Sequence, residues 1–180
     1  NAPNAVVVHI GCGMDSRCIR VGTENHKWYD VDFLEVIGER KRYYAESDNY
    51  KMIAGDARDC NWLSSIKENH SAIVIMEDVS MYLSIEQINN LSNRLYDHFQ
   101  NVTLLVYAYT YFSAKISKLK NPIKDVGVSN VYGIKQPQEY QTDKLIFVKE
   151  HNMTPQKYIN ELKWIEKFIF KNIYAGNLSK

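Results

Sequence analysis

The chain reads as an α/β protein, an open and mostly parallel twisted sheet with helices on both faces, and three observations carry that reading. Short β-branched or apolar runs alternate with helical stretches along the first hundred residues. The first run, Val6-Val7-Val8-His9-Ile10, enters a Gly-x-Gly turn, Gly11-Cys12-Gly13, and the later runs end in acidic residues. Five β-compatible residues in a row suit a central parallel strand buried on both faces. The glycines let the backbone turn sharply and approach a ligand with no Cβ in the way. Open α/β folds hold nucleotides at such a turn, outside the carboxyl ends of the strands. Plain tight turns also use Gly-x-Gly, so the following strand ends decide what the turn is for.

The second strand is Lys27-Trp28-Tyr29-Asp30-Val31-Asp32. Asp32 lies 19 residues beyond Gly13, the interval over which one helix and one short strand bring the chain back to the same sheet edge. An acid there can accept charge-assisted hydrogen bonds from both hydroxyls of a ribose; the alternative is an exposed aspartate satisfied by solvent. Tyr50-Lys51-Met52-Ile53-Ala54 is the third strand and ends in Gly55-Asp56-Ala57-Arg58-Asp59. Ala72-Ile73-Val74-Ile75-Met76 is the fourth and ends in Glu77-Asp78. Carboxyl ends share one rim in a parallel sheet, so the Gly-x-Gly turn, Asp32, Asp56 and Glu77 should converge on one crevice. Any single one of these acids would also suit a helix N-cap.

The third glycine of the dinucleotide fingerprint is replaced by Ser16, which counts against NAD or FAD. A crevice with several acids and few phosphate-binding cations suits a cationic ligand that carries a ribose and an adenine. S-adenosylmethionine is such a ligand: its sulfonium and ammonium are positive, its ribose offers two hydroxyls and its adenine N6 is a donor.

Gly11-Cys12-Gly13-Met14-Asp15-Ser16-Arg17 with Arg20 resembles the G-x-G-x-D-[ST]-R-x-x-R motif of the leucine carboxyl methyltransferases and the related polyketide-pathway O-methyltransferases. Trp28-Tyr29-Asp30-Val31-Asp32 is similar to their second motif. Ala54-Gly55-Asp56-Ala57-Arg58-Asp59 with Trp62-Leu63 is similar to the third, and Glu77-Asp78-Val79-Ser80-Met81-Tyr82-Leu83 resembles E-G-x-x-x-Y-L. The four motifs stand in the correct order over roughly residues 5 to 95. The resemblance implies a Rossmann-like methyltransferase fold with S-adenosylmethionine as cofactor. It places Gly11, Cys12, Gly13 and Arg17 at the cofactor, with Gly11 and Gly13 along its methionine part. Asp32 would take the ribose, Asp56 and Ala57 the adenine, and Glu77 the amino or sulfonium end. Tyr82 fits the motif and would orient an acceptor, or else pack against the sheet with its hydroxyl at the rim. Arg17 and Arg20 can equally pair with Asp15, Asp30 or Asp32 to shape the loop. Two departures stand out: Asp78 takes a position the family usually gives to glycine, and only about five residues precede the first strand, where the family carries a helical segment with a basic residue for the cofactor carboxylate.

Methyl transfer from a sulfonium is an in-line displacement whose leaving thioether needs no acid. Holding the acceptor and methyl group in line can therefore supply about 7–11 kcal/mol of the rate acceleration. A carboxylate acceptor is already ionised and needs no base, whereas a phenol or alcohol calls for one nearby. Glu77, Asp78 and Tyr82 are the positions available, with His98 more distant. His98 near a helix end is favourable through the helix dipole alone, and His9 inside the first strand reads as a core histidine.

With 180 residues, a single domain is expected, its cofactor half over about residues 5–100 and its substrate-side elements over about 107–180. Lys+Arg 22 against Asp+Glu 21 gives a formal net charge of +1, so no basic field argues for nucleic acid. The run Glu39-Arg40-Lys41-Arg42 is expected on a solvated helix face. No apolar run approaches the roughly 20 residues that span a bilayer, and the expectation is a chain without a signal peptide. The cysteines Cys12, Cys18 and Cys60 are odd in number and lack C-x-x-C spacing, which argues for reduced thiols in the cytoplasm and against a zinc site; no metal is expected.

Ser84-Ile85-Glu86-Gln87 is a capping-box pattern opening a helix to about Phe99. A fifth strand follows over Val102–Ala108, and then the aromatic stretch Tyr109–Phe112, a Lys-rich stretch from Ser113 to Lys124 and a loop around Pro122, Gly127 and Gly133, where related folds insert substrate-binding elements. Leu145-Ile146-Phe147-Val148-Lys149 is a sixth strand candidate. Thr154-Pro155 opens a helix to about Tyr174, ended by Gly176, with an apolar stripe of Ile159, Leu162, Ile165, Phe168, Ile169 and Ile173. That stripe is expected to pack on the chain's own sheet, with a homodimer face as the alternative. The function expected is an S-adenosylmethionine-dependent O-methyltransferase acting on a small-molecule, polyketide-like carboxylate or hydroxyl, or on an exposed carboxylate. The alternatives are a cofactor-binding module of little activity and a nicotinamide-dependent oxidoreductase.

Overall fold

The computed structural model describes residues 5–119, 130–151 and 155–170. Within them β1 (Val6–Ile10), β2 (Trp28–Asp32), β3 (Tyr50–Ala54), β4 (Ser71–Met76) and β5 (Asn101–Val106) form one sheet in which every pairing is parallel. The order is β3-β2-β1-β4-β5. The chain thus winds outward from β1 to β3 and then crosses back to β4, leaving a topological switch between β1 and β4. The strands lie within a residue or two of the positions their apolar runs predict. All five residues of β1 are buried, as the uninterrupted run requires of the central strand of a two-sided sheet.

One face carries the larger core. Val6, Val8 and Ile10 of β1 pack there with Val31, Val74 and Met76, under Ile88, Leu91 and Leu95 of α3 (Ile85–His98) and under Trp62, Leu63 and Ile66 of the 3-10 turn Asn61–Ser65 and its end. Each of these α3 side chains is fully buried, worth roughly 1.5–3 kcal/mol apiece. The predicted capping box starts α3: Ser84 Oγ accepts from the Gln87 amide at 3.2 Å, and Gln87 Oε1 accepts from the Ser84 amide at 2.8 Å.

The opposite face is covered unevenly. Over β1–β3 it is closed by α1 (Arg17–Val21) and α2 (Leu34–Arg40), whose Cys18 and Ile37 pack on Val7, Trp28, Tyr50 and Met52. Over β4 and β5, Ile73 and Ile75 are half-buried and Leu105 is 51% exposed. After β5 comes α4 (Tyr111–Leu119), whose Ala114 is buried with Met81 and Val131, and residues 131–134 lie beside its start. The Tyr132 amide donates to the Met81 carbonyl, and the Ile134 amide to the Tyr109 carbonyl. Gly133 permits this approach, since a Cβ there would stand 2.4 Å from the Thr110 carbonyl oxygen.

Three expectations are corrected. Residues 145–149 join no strand: Ile146 is 76% and Val148 86% exposed, and an apolar run makes a strand only where it pairs and packs. The helix expected from Pro155 is two short helices, α5 (Gln156–Glu161) and α6 (Trp164–Ile169), separated at Leu162 and Lys163, both in extended conformation. Pro155 is the N-cap rather than the first helical residue, and Thr154, Ile173, Tyr174 and Gly176 lie outside the described residues, as do Lys124, Pro122 and Gly127. The apolar stripe does not pack on the sheet: Ile159 is buried, while Ile165, Phe168 and Ile169 are 53%, 65% and 41% exposed. Third, Arg40 is not on a solvated face but fully buried.

Candidate functional site

The sheet register assembles the site. Ile10 pairs with Val31 on one side and Met76 on the other, Asp32 with Ala54, and Met76 with Val106. The next residue of each strand continues the row. Gly11 donates to the Val31 carbonyl, Gly55 to that of Asp32 and Tyr107 to that of Met76, each at 2.8–2.9 Å. Ala54, Asp32, Gly11, Glu77 and Tyr107 therefore stand side by side along one rim, centred on the switch between β1 and β4. The register brings Asp32, Gly11 and Glu77 together, while Asp56 lies beyond the last paired residue of its strand, Ala54.

At the centre, Gly11 and Gly13 have φ of +68° and +49°, in the left-handed region where a Cβ is strained. Gly11 is also tightly covered, since a Cβ on it would stand 1.9 Å from Val79 Cγ2. The space beside Gly13 is open, with nothing within 4 Å of where a Cβ would be. Asp32 is aimed by two backbone donors, the Gly13 amide at 2.8 Å to Oδ2 and the Phe33 amide at 2.8 Å to Oδ1. Each oxygen keeps acceptor capacity, so the carboxylate is oriented and able to receive two more donors. Cys12 packs its side chain into the core, and burial pushes its thiol up, so it stays neutral.

The turn is held from behind by a side chain that the sequence reading placed in solvent. From the last turn of α2, the buried Arg40 guanidinium donates to the carbonyls of Gly13 at 2.9 Å and Asp15 at 2.8 Å and pairs with Asp30 at 2.5 Å. Asp30 also accepts from Trp28 Nε1 at 2.7 Å and from the Tyr50 hydroxyl at 2.6 Å, and His9 Nδ1 lies 3.5 Å away. Burial alone would raise the Asp30 carboxyl, but His9, Tyr50, Trp28 and Arg40 outweigh it and hold it below the ordinary carboxylate range. The only sequence signals for this pair were the spacing of Arg40 behind Ile37 on α2 and the placement of Asp30 inside a strand.

Arg17 and Glu77 form an ion pair across the mouth of the crevice. Arg17 also lies 3.3 Å from Asp15 and from His9 Nε2, and Arg20 pairs with Asp15 at 2.8 Å. The loop-shaping reading of both arginines therefore holds for Asp15, while Asp30 takes Arg40 and Asp32 takes backbone amides. Asp56 is gripped by Arg58, whose side chain and amide hold its carboxyl below the ordinary range despite burial. Ala57 is partly buried against the main core.

Beyond Glu77 the rim turns aromatic. Tyr82, Tyr107 and Tyr109 pack against the small cluster of Met81, Ala114 and Val131, and the Tyr107 and Tyr109 rings meet edge to face at 6.0 Å. Burial, then neighbouring charge that includes Asp78, raises the Tyr82 and Tyr107 phenols, so both remain neutral. Asp78 is exposed and adopts φ of +56°. His98 ends α3, close to the start of β5, and is therefore at the far end of the sheet from the rim; it packs edge-on to Phe99. A cavity of about 460 Å³ lined by Lys27, Tyr29, Lys51, Lys67 and Glu68 also lies away from the rim, beside the outer strand β3. Among the described residues no group of three His, Cys, Asp or Glu side chains is placed to hold a metal, the three cysteines are free, and no helix is long and apolar enough to cross a membrane.

A parallel sheet with its order reversed beside β1, a glycine turn and an acid receiving that turn's amide define the class: a Rossmann-like methyltransferase fold. Residues 2–96 match the family model for leucine carboxyl methyltransferase, and the chain belongs to that family. It is 28% identical over 170 residues to the tetracenomycin polyketide synthesis O-methyltransferase TcmP of Streptomyces glaucescens, covering 93% of this chain and 63% of that protein. It is 24% identical over 157 residues to the S-adenosyl-L-methionine-dependent methyltransferase dpfgK of Gibberella zeae, covering 79% of this chain and 52% of that protein. The chain thus spans between half and two thirds of the length of these curated relatives. Among solved structures, a putative methyltransferase from Thermobifida fusca superposes with a TM-score of 0.57 at 12% identity, over 74% of this chain and 55% of the other. A protein described as a pericyclic reaction enzyme superposes with a TM-score of 0.50 at 12% identity, over 75% and 36%. These structural likenesses speak to the fold.

Proposed function

We propose that the chain is an S-adenosylmethionine-dependent O-methyltransferase whose acceptor is a carboxylate or hydroxyl of a small molecule, or an exposed carboxylate. The observation that carries the reading is the pairing of the Gly13 amide with Asp32 at 2.8 Å. It fixes a carboxylate beside the open side of the glycine turn, at the switch between β1 and β4, where a ribose diol would find its acceptor. The rim fits the cofactor in chemistry as well. Asp32 would hold the ribose, Gly11, Cys12 and Gly13 the methionine part, Asp56 and Ala57 the adenine, and Glu77 the cationic end. When bound, the cofactor supplies an electrophilic methyl group. This chain's own residues bind and orient: Asp32 and the glycine turn set the cofactor's position, and Tyr82 orients the acceptor at the edge of the aromatic cluster. Arg17 stands against Glu77 in this structure and would turn to the cofactor's carboxylate end as the ammonium takes its place.

The reading keeps one domain, with the cofactor half over about 5–100 and the substrate side over about 107–180. Cytoplasmic residence is consistent with three free buried thiols, and the exposed apolar side chains of α6 suit a homodimer face. A second reading, a cofactor-binding module with little activity, is favoured by the Arg17–Glu77 pair, which must open before Glu77 can serve. Calorimetric titration with S-adenosylmethionine and S-adenosylhomocysteine, followed by transfer of a labelled methyl group to an acceptor panel, separates the two. Tight binding with no transfer supports the module. Absence of binding by this 180-residue chain would overturn both.

A further inference from the structure

We propose that the acceptor oxygen is a hydroxyl, of a phenol in particular, and that Asp78 takes its proton as the methyl group transfers. The inference rests on the methyltransferase reading and narrows its substrate class. Asp78 follows the rim residue Glu77, and Val79 beside it is packed directly on Gly11, so Asp78 is tied to the centre of the crevice. Its φ of +56° lies in the left-handed region, which asparagine and aspartate enter more readily than other side chains but glycine enters freely. A carboxylate kept there is a non-glycine outlier at the edge of a candidate site.

The charges around it decide the acceptor. Every guanidinium paired at the rim is matched to another carboxylate: Arg17 to Glu77 and Asp15, Arg20 to Asp15, and Arg58 to Asp56. Asp78 makes no hydrogen bond or ion pair among the described residues, is exposed, and its charge is felt at the neighbouring phenols of Tyr82 and Tyr107. An anionic acceptor would meet this charge where Arg17, Arg20 and Arg58 are already matched to other carboxylates. A neutral hydroxyl would instead find an acceptor for its proton and a wall of aromatic rings for its body. The step balances. The hydroxyl oxygen forms a bond to the methyl carbon, the carbon–sulfur bond breaks with its electron pair passing to sulfur, and the hydroxyl proton passes to the Asp78 carboxylate and then to water. Positive sulfonium and negative carboxylate are neutralised together, leaving an ether, a thioether and a carboxylic acid.

The test uses the full chain and two probes of equal ring size, naphthol and naphthoate. S-adenosylhomocysteine binding is measured first by calorimetry. Each probe is then titrated into the saturated protein, for the native chain, Asp78→Asn and Asp78→Gly. The expected result is naphthol bound about tenfold or more tightly than naphthoate in the native chain, as one like charge at close range near the protein surface would produce. Both variants should lose most of that preference while retaining S-adenosylhomocysteine affinity, and Asp78→Gly should melt no lower than the native chain. Labelled methyl transfer should favour naphthol, and Asp78→Asn should lower that rate more than it lowers naphthol affinity. Equal or tighter naphthoate binding, an unchanged preference in both variants, or no binding of either probe at millimolar concentration overturns the proposal. Failure of S-adenosylhomocysteine to bind is a different result, because it overturns the methyltransferase reading itself.

Discussion

The sheet strands β1–β4 and the segment over residues 130–170 both carry many apolar side chains and have opposite fates. Around β1–β4, Val6, Val8, Ile10, Trp28 and Val74 are almost wholly buried. In the later segment Val131, Ile134 and Ile159 are buried, yet Ile146, Val148, Trp164 and Phe168 lie 65–86% exposed. Hydrophobic patterning therefore specifies a packed element only where another surface is available to close on it. The sheet has such surfaces because parallel strands and their crossovers supply one another with partners. A lone helix of six residues such as α6 has too little of its own to hold a position.

The largest way to break the comparison is Arg40→Met. It leaves Asp30 buried without its cation and releases the carbonyls of Gly13 and Asp15, with an expected loss of about 3–5 kcal/mol in chemical unfolding. Asp30→Asn combined with Arg40→Met should be less damaging than the two losses added. The same pair predicts a pH signature. Asp30 is held below its ordinary value of 3.8, so its contribution is fully present above that value and is lost as pH falls through the lower folded value. Thermal melts below about pH 4 should therefore fall steeply for the native chain and more gently for the double variant; parallel curves would remove Asp30 from the account.

Asp32→Ala acts on the rim's function. Losing a charged acceptor is worth about 1.5–3 kcal/mol, which corresponds to S-adenosylhomocysteine binding weakened by one to two orders of magnitude in calorimetry. An affinity unchanged by this substitution would move the ribose elsewhere. The smallest effect is expected at the other pole of the comparison. Trp164→Ser on α6 should change stability by less than about 0.5 kcal/mol and, if α6 is a dimer face, shift the mass measured by light scattering towards the monomer.

What was legible in the chain was local or strictly periodic. The β1 run, the glycine turn, the strand-end acids and the Ser84–Gln87 capping box each state their role within a few residues, and parallel winding then carries Asp32, Gly11 and Glu77 to a common rim. The four motifs added the cofactor for the same reason, since they are those strand ends. Arg40 was misread because a basic run looks alike on a wet face and behind a turn; only the carboxylate of Asp30 on a different element makes burial of that guanidinium tolerable. Arg17 and Glu77 are 60 residues apart, and no spacing rule joins them. Residues 145–149 carry an apolar run as a strand would, yet among the described residues they pair with no strand and leave Ile146 and Val148 exposed. The sequence by itself thus determined the sheet, its winding and which residues stand at its rim, because these follow from side-chain period and backbone geometry. The tertiary structure alone decided which charges are buried, which acids are already partnered and which apolar stripes find cover, because those depend on what distant elements bring into contact.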